Sequence, residues 1–146
     1  MLRLSCRVFA TTFAAVLVAV PVVAQEADVS PVTEAMLENP ADGDWLSWRR
    51  TLDGWGYSPL EEIDTSNVGD IQLAWSWGLE AGISQTTPLV HDGVMFIANP
   101  GNVVQALDAA TGDFIWEYRY EMDERRRPAA QTRSLAIYEN LILLNT

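Results

Sequence analysis

Between residues 86 and 119 the chain alternates short apolar runs with tight polar turns. "TPLV" meets "HDG", "VMFIAN" meets "PGN", "VVQALD" meets "AATGD", and "FIWEYRY" closes the series. Runs of this length bounded by Gly, Asn and Asp predict four strands in an antiparallel meander. In the fourth, Phe114, Trp116 and Tyr118 share a face, with Glu117 and Arg119 on the other. Upstream, "IQLAWSWGL" alternates as well, with Leu73, Trp75 and Trp77 on one side. That period of two predicts a strand over about residues 72–79. After the polar stretch "EMDERRRPAAQT" a second hairpin is expected, built from "RSLAIY", the turn "EN" and "LILLNT".

The two hairpins repeat each other. "PLVHDGVMFIAN" (88–99) lies on "LAIYENLILLNT" (135–146) without a gap, at an offset of 47 residues. An acid followed by Gly93 or Asn140 forms both turns, and glycine and asparagine tolerate positive φ. An offset of this size, with four strands to the unit, is the plan of a propeller blade. The stretch "ALDAATGDFIW" (106–116) then makes sense as a staple. Asp108 and Thr111-Gly112 form a tight turn, and Trp116 on the next strand carries a ring large enough to fill the wedge between blades. Burying it stabilises by up to a few kcal/mol, at roughly 25 cal/mol per Å². The fold class is therefore all-β.

Residues 1–24 change the picture of the N-terminus. Arg3 and Arg7 precede an apolar run from Val8 to Val20, and small or branched residues follow Pro21 up to Ala24. This is the pattern of a secretory signal peptide cleaved after Ala24, too short for a membrane span. Cys6, the one cysteine, precedes the apolar run and leaves with it, so lipid attachment and disulfides are not expected. Removing these residues shifts the net charge from -11 to -13, and the chain has no lysine. Such acidity makes the chain a poor candidate for binding nucleic acid, and no nucleic-acid partner is expected. Residues 25–43, acidic and proline-bearing, read as a flexible leader with one helical turn near Glu34–Leu37.

With these elements placed, the residues resemble a known family. "ALDAATGDFIW" is similar to the tryptophan-docking motif of quinoprotein dehydrogenases, eight-bladed propellers that hold pyrroloquinoline quinone (PQQ). "DWLSWRRTLDGWGYSPLEEIDTSNVGDIQLAWSW" resembles their N-terminal signature. "TTPLVHDGVMFIANPGNVVQALDAATG" resembles the first blade of the methanol/ethanol dehydrogenase branch. The likeness covers about residues 44–146. It implies the N-terminal part of an eight-bladed ring, about one and a half blades. The strand at about 72–79 would close the ring against the last blade, residues 86–119 would form the first blade, and residues 133–146 would start the second. With its partner blade absent, Leu73, Trp75 and Trp77 would face solvent, and the chain alone would be neither stable nor active.

The resemblance also implies chemistry. Such enzymes oxidise an alcohol by hydride transfer to PQQ, with a calcium or lanthanide ion polarising the quinone and a cytochrome c accepting electrons. A cytochrome domain with haem c can follow in the same chain. Arg133 matches the arginine that opens the second blade and bonds the cofactor, a role suited to its planar, permanently charged fork. Gln85 falls where many members have a glutamate facing a PQQ carboxyl group, and Thr86 and Thr87 are weaker candidates for the same wall. One departure stands out. Where alcohol-oxidising members carry adjacent cysteines before that arginine, this chain reads "RRRPAAQTR". The backbone around Pro128–Gln131 is left to cover that face of the quinone.

Other residues read as bland. His91, the one histidine, sits in the turn "HDG" and is expected at the surface. Asp42, Asp44, Asp53 and Asp64 lack the spacing of a calcium loop. No metal ligand is assigned within the chain, and the catalytic residues are expected beyond Thr146. Two rivals remain. One is a non-enzymatic propeller similar to the lipoprotein that assists outer-membrane protein assembly, against which the position of Cys6 and the N-terminal signature argue. The other is a quinoprotein oxidising sugars or polymeric alcohols, which the missing cysteines favour. The expected location is the periplasm.

Overall fold

The computed structural model describes residues 29–121 and 134–145. A short helix, α1 (Glu34–Glu38), precedes six strands: β1 (Leu89–His91), β2 (Val94–Asn99), β3 (Val103–Asp108), β4 (Phe114–Arg119), β5 (Leu135–Tyr138) and β6 (Leu141–Leu144). Strands β1 to β4 form one antiparallel sheet in chain order, and β5 pairs with β6 in a second. The meander and the following hairpin thus form where the alternation places them. The repeat extends to the backbone of the turns. Asp92 and Glu139, 47 residues apart, both adopt the left-handed conformation, with φ of 48° and 49°.

The register explains how the first sheet packs. Ala106 on β3 lies opposite both Phe96 on β2 and Trp116 on β4. Its methyl group leaves room for the two rings to meet, with centroids 6.0 Å apart and planes tilted by 43°. Just beyond, the ladder shifts so that Leu107 pairs with Phe114, and Ile115 bulges out of register. One face of this sheet, with Phe96, Ala98, Val104 and Ala106, meets Leu135 and Ile137 of the second sheet in a shared core. The first strands of the two sheets, β1 and β5, touch. Further out the sheets diverge, leaving a cleft of about 380 Å³ bordered by Phe96, Trp116, Ile137 and Ile142. Half-buried Trp116 stands in that wedge, as its place in the motif predicts.

Two expectations need correction. Residues 72–79 form no strand. Alternating side chains give a segment two faces, but a ladder also needs a partner backbone, and none of the described residues supplies one. Leu73 is 83% exposed, as anticipated, whereas Trp75 and Trp77 are half-buried against the first sheet.

The leader is the second correction. Thr33 caps α1 by accepting the Met36 amide at its hydroxyl. Val32, fully buried, exchanges both backbone hydrogen bonds with Glu139, and Trp45 does the same with Val90 on the free edge of β1. Residues 29–43 are packed onto both sheets rather than free. Their acidic composition concealed this, because the few apolar residues, Val32 above all, carry the attachment.

Candidate functional site

The "DAATG" turn is built by its first residue. Asp108 Oδ1 accepts the amides of Ala110 (2.9 Å) and Thr111 (2.8 Å), and the Asp108 carbonyl accepts the Gly112 amide at 2.9 Å. Bonds from Thr111 above all hold the Asp108 carboxyl below the usual carboxylate range. Gly112 is required twice over. Its φ is 76°, and a Cβ there would lie 2.6 Å from Cδ2 of Trp75. The Trp75 indole lies flush on this bare backbone and donates its Nε1 proton to the Ala109 carbonyl at 3.2 Å. The conformational freedom of glycine and close approach are here the same requirement.

Two residues on, Trp77 stacks on Phe114 (5.9 Å between centroids, 13° between planes) and donates to Gln105 Oε1 at 2.9 Å. Gln105 also accepts from buried Asn99 and donates to Glu117 at 2.8 Å. Arg119 lies between Glu117 (3.4 Å) and Glu80 (3.3 Å). The 75–80 segment therefore covers the second face of the first sheet through side chains, which accounts for burial of β3 on both sides.

The expected cofactor residues lie just ahead of β1. Gln85 is exposed, and its amide makes no hydrogen bond among the described residues. The Thr86 hydroxyl donates to the Ala98 carbonyl at 3.1 Å and lies 3.2 Å from the Ser84 hydroxyl. Thr87 is half-buried beside it. A quinone bearing carboxylates needs donors directed at it. Gln85 fits, having two free N–H groups. Thr86, its proton committed to Ala98, fits as wall rather than as donor. Arg133 and residues 128–131 lie outside the described residues. Among the described residues no group of three or more His, Cys, Asp or Glu could hold a metal ion. None of the described helices is long and apolar enough to cross a membrane.

His91 departs most from its sequence reading. It is fully buried, not at the surface. Nδ1 lies 2.8 Å from Asp44 Oδ2 and Nε2 lies 3.0 Å from the Ser30 carbonyl, so each ring nitrogen faces an acceptor. Ser30, His91 and Asp44 have the residue types of a hydrolytic triad, but the Ser30 hydroxyl donates to Asp92 at 2.6 Å and so is not activated by the ring. The signal was present in the alternation: Leu89 is buried on β1, and His91, two residues later, shares its face. The partners, 47 and 61 residues upstream, could not be read locally.

A four-stranded meander covered on both faces, with an indole docked on its turn glycine and a second sheet diverging from it, defines part of a β-propeller of the tryptophan-docked kind. Residues 45–141 match the family described as "PQQ: Glucose/ethanol/alcohol dehydrogenase, beta-propeller domain", and the chain belongs to that family. It is 40% identical over 101 residues to the dehydrogenase subunit of an alcohol dehydrogenase (quinone) from Gluconobacter oxydans, covering 68% of this chain and 13% of that protein. A 1-butanol dehydrogenase (cytochrome c) from Thauera butanivorans is 32% identical over 111 residues, 73% of this chain and 16% of that one. Among solved structures, the quinohemoprotein alcohol dehydrogenase ADHIIG of Pseudomonas putida HK5 superposes with a TM-score of 0.73 at 36% identity, covering 81% of this chain and 18% of that one. The chain thus spans less than a fifth of the length of these relatives.

Proposed function

We propose that this chain supplies the opening part of a periplasmic PQQ-dependent alcohol dehydrogenase, exported by a signal peptide over residues 1–24. The match of residues 45–141 to the PQQ propeller family carries this reading. When bound, PQQ supplies a two-electron acceptor for the hydride of an alcohol carbon, and a calcium or lanthanide ion polarises its quinone oxygen. Gln85 would hold a cofactor carboxylate through its amide protons, with Thr86 and Thr87 as the adjoining wall. Arg133 would pair with the cofactor through its permanent charge. The chain's other part in the chemistry is rigidity. The doubly covered sheet anchors β1, which begins at Leu89, shortly after Gln85. The general base and the metal ligands belong to residues beyond Thr146, and electrons would pass to a cytochrome c, through a haem c domain of the same protein or a separate one.

The test is dye-linked oxidation of short alcohols by the protein expressed from its complete gene, with PQQ and Ca²⁺ or a lanthanide ion added separately. Alcohol-dependent dye reduction that requires both additions is expected. Activity indifferent to PQQ would refute the reading. A second substrate class, sugars or polymeric alcohols, is favoured by "RRRPAAQTR", which lacks the cysteine pair of the alcohol-oxidising branch. Running the same assay with these substrates separates the two.

A further inference from the structure

The leader makes contacts at two equivalent points of the repeat. At the β1–β2 turn, Ser30 donates its amide (2.8 Å) and its hydroxyl (2.6 Å) to Asp92 Oδ2. At the β5–β6 turn, 47 residues on, Val32 and Glu139 exchange two backbone hydrogen bonds of 3.0 and 2.8 Å. Three consecutive residues therefore tie together the turns of two successive hairpins. Val29 and Ser30 also line the cleft between the two sheets, so the tie runs along the wedge itself. Beyond α1 the segment returns to the first hairpin, where Trp45 pairs with Val90 and Asp44 receives the His91 ring and the Asp92 amide. His91 thus grips the segment at both ends, Asp44 through one nitrogen and the Ser30 carbonyl through the other.

We propose that residues 29–45 are a strap, locked by buried His91, that fixes the spacing between the β1–β2 and β5–β6 hairpins at the ends opposite their turns. Those ends matter because, on the function proposed above, β1 begins just after Gln85 and Thr86. Two hairpins held together only by the contact between β1 and β5 can pivot about it. Strapping the turns removes the pivot, and the far ends stay at one separation. His91, Asp44 and Ser30 are then positioning residues that act through two hairpins and touch no cofactor.

The experiment uses the protein expressed from its complete gene, without cofactor. Nitroxide labels at Pro88→Cys and Ser134→Cys, each directly ahead of its strand, report the spacing by dipolar spectroscopy. The parent should give one narrow distance. His91→Ala, and more mildly Asp44→Asn, should lose it for a broad distribution, with faster proteolytic cleavage between residues 29 and 45. A staple supplies the rescue. Val32 and Glu139 are an antiparallel hydrogen-bonded pair, with Cα atoms about 5.5 Å apart as such pairs are, within disulfide reach. Val32→Cys with Glu139→Cys, oxidised in the His91→Ala background, should restore the narrow distance, here read by fluorescent amino acids at 88 and 134 so that no further thiols intervene. A leader released by His91→Ala with the spacing still narrow would overturn the proposal, as would a leader that stays protected in both variants. PQQ titration of the same samples keeps the two readings apart. Loss of affinity that follows the spacing extends the proposal to the site, whereas a parent that never binds PQQ removes the proposed function and leaves the distance result standing.

Discussion

The two hairpins share a turn, a register and a spacing, yet they differ sharply in burial. On β2, residues 96–99 are all buried, whereas on β6 the corresponding Leu143 is 53% exposed. The β6 sequence, "LILL", is no less apolar than "VMFI". The difference comes from neighbours. Strand β2 has β1 and β3 on its flanks, and its Phe96 face meets Trp116 and the second sheet. Among the described residues β6 pairs with β5 alone. A blade's core is thus made by the strands around it, and the apolar pattern only marks a strand as able to be covered.

The most severe way to break the comparison is to empty the covered position. Phe96→Ala should cost about 3–5 kcal/mol, because the cavity is walled by Trp116 and the second sheet. Leu143→Ala, its counterpart, should cost less than about 1 kcal/mol while that face is open. Denaturant unfolding of both variants checks this, and equal losses would show that the second hairpin is covered as fully as the first. Next comes the docking seat. Gly112→Ala should cost about 2–4 kcal/mol, since the new methyl group meets Trp75 and the residue must keep a positive φ. A variant that melts like the parent would mean that Trp75 does not rest there.

The smallest effect concerns acid. The hydroxyl and then the amide of Ser30 hold the Asp92 carboxyl below its usual range. A carboxylate depressed in the folded state stabilises at pH values above its unfolded pKa and loses that contribution as pH falls through the folded one. Attachment of the leader to the first hairpin should therefore weaken below about pH 4, the unfolded carboxylate range. Hydrogen exchange at residues 29–33 measures it. Asp92→Asn should make the leader loose at every pH, while Glu139→Gln, which retains the main-chain bonds to Val32, should leave the acid response unchanged.

Much of this was legible in the sequence, for physical reasons that differ by residue. The meander and the second hairpin follow from local alternation and turn chemistry, and Gly112 from the need for positive φ. Trp116 follows from a large ring placed one strand after a tight turn. Residues 72–79 misled because alternation reports two faces but not a partner. Trp75 and Trp77 satisfy theirs by docking on Gly112 and Phe114 instead of by a ladder. His91 was missed because a turn residue looks exposed until distant Asp44 and Ser30 fold over it. Of the candidate site, Gln85 rested on family resemblance, and its exposed, unbonded amide is compatible with that role. Thr86 was read as part of the same wall, and its hydroxyl proton goes to the Ala98 carbonyl.

The central claim is that this blade presents Gln85 to a quinone carboxylate. Equilibrium titration with PQQ, followed by quenching of indole fluorescence in the protein from its complete gene, tests it most directly. The account predicts saturable binding, weakened roughly tenfold or more in Gln85→Ala, as loss of a hydrogen bond to a charged group requires. Binding of equal strength in both proteins, or none in the parent, would contradict it.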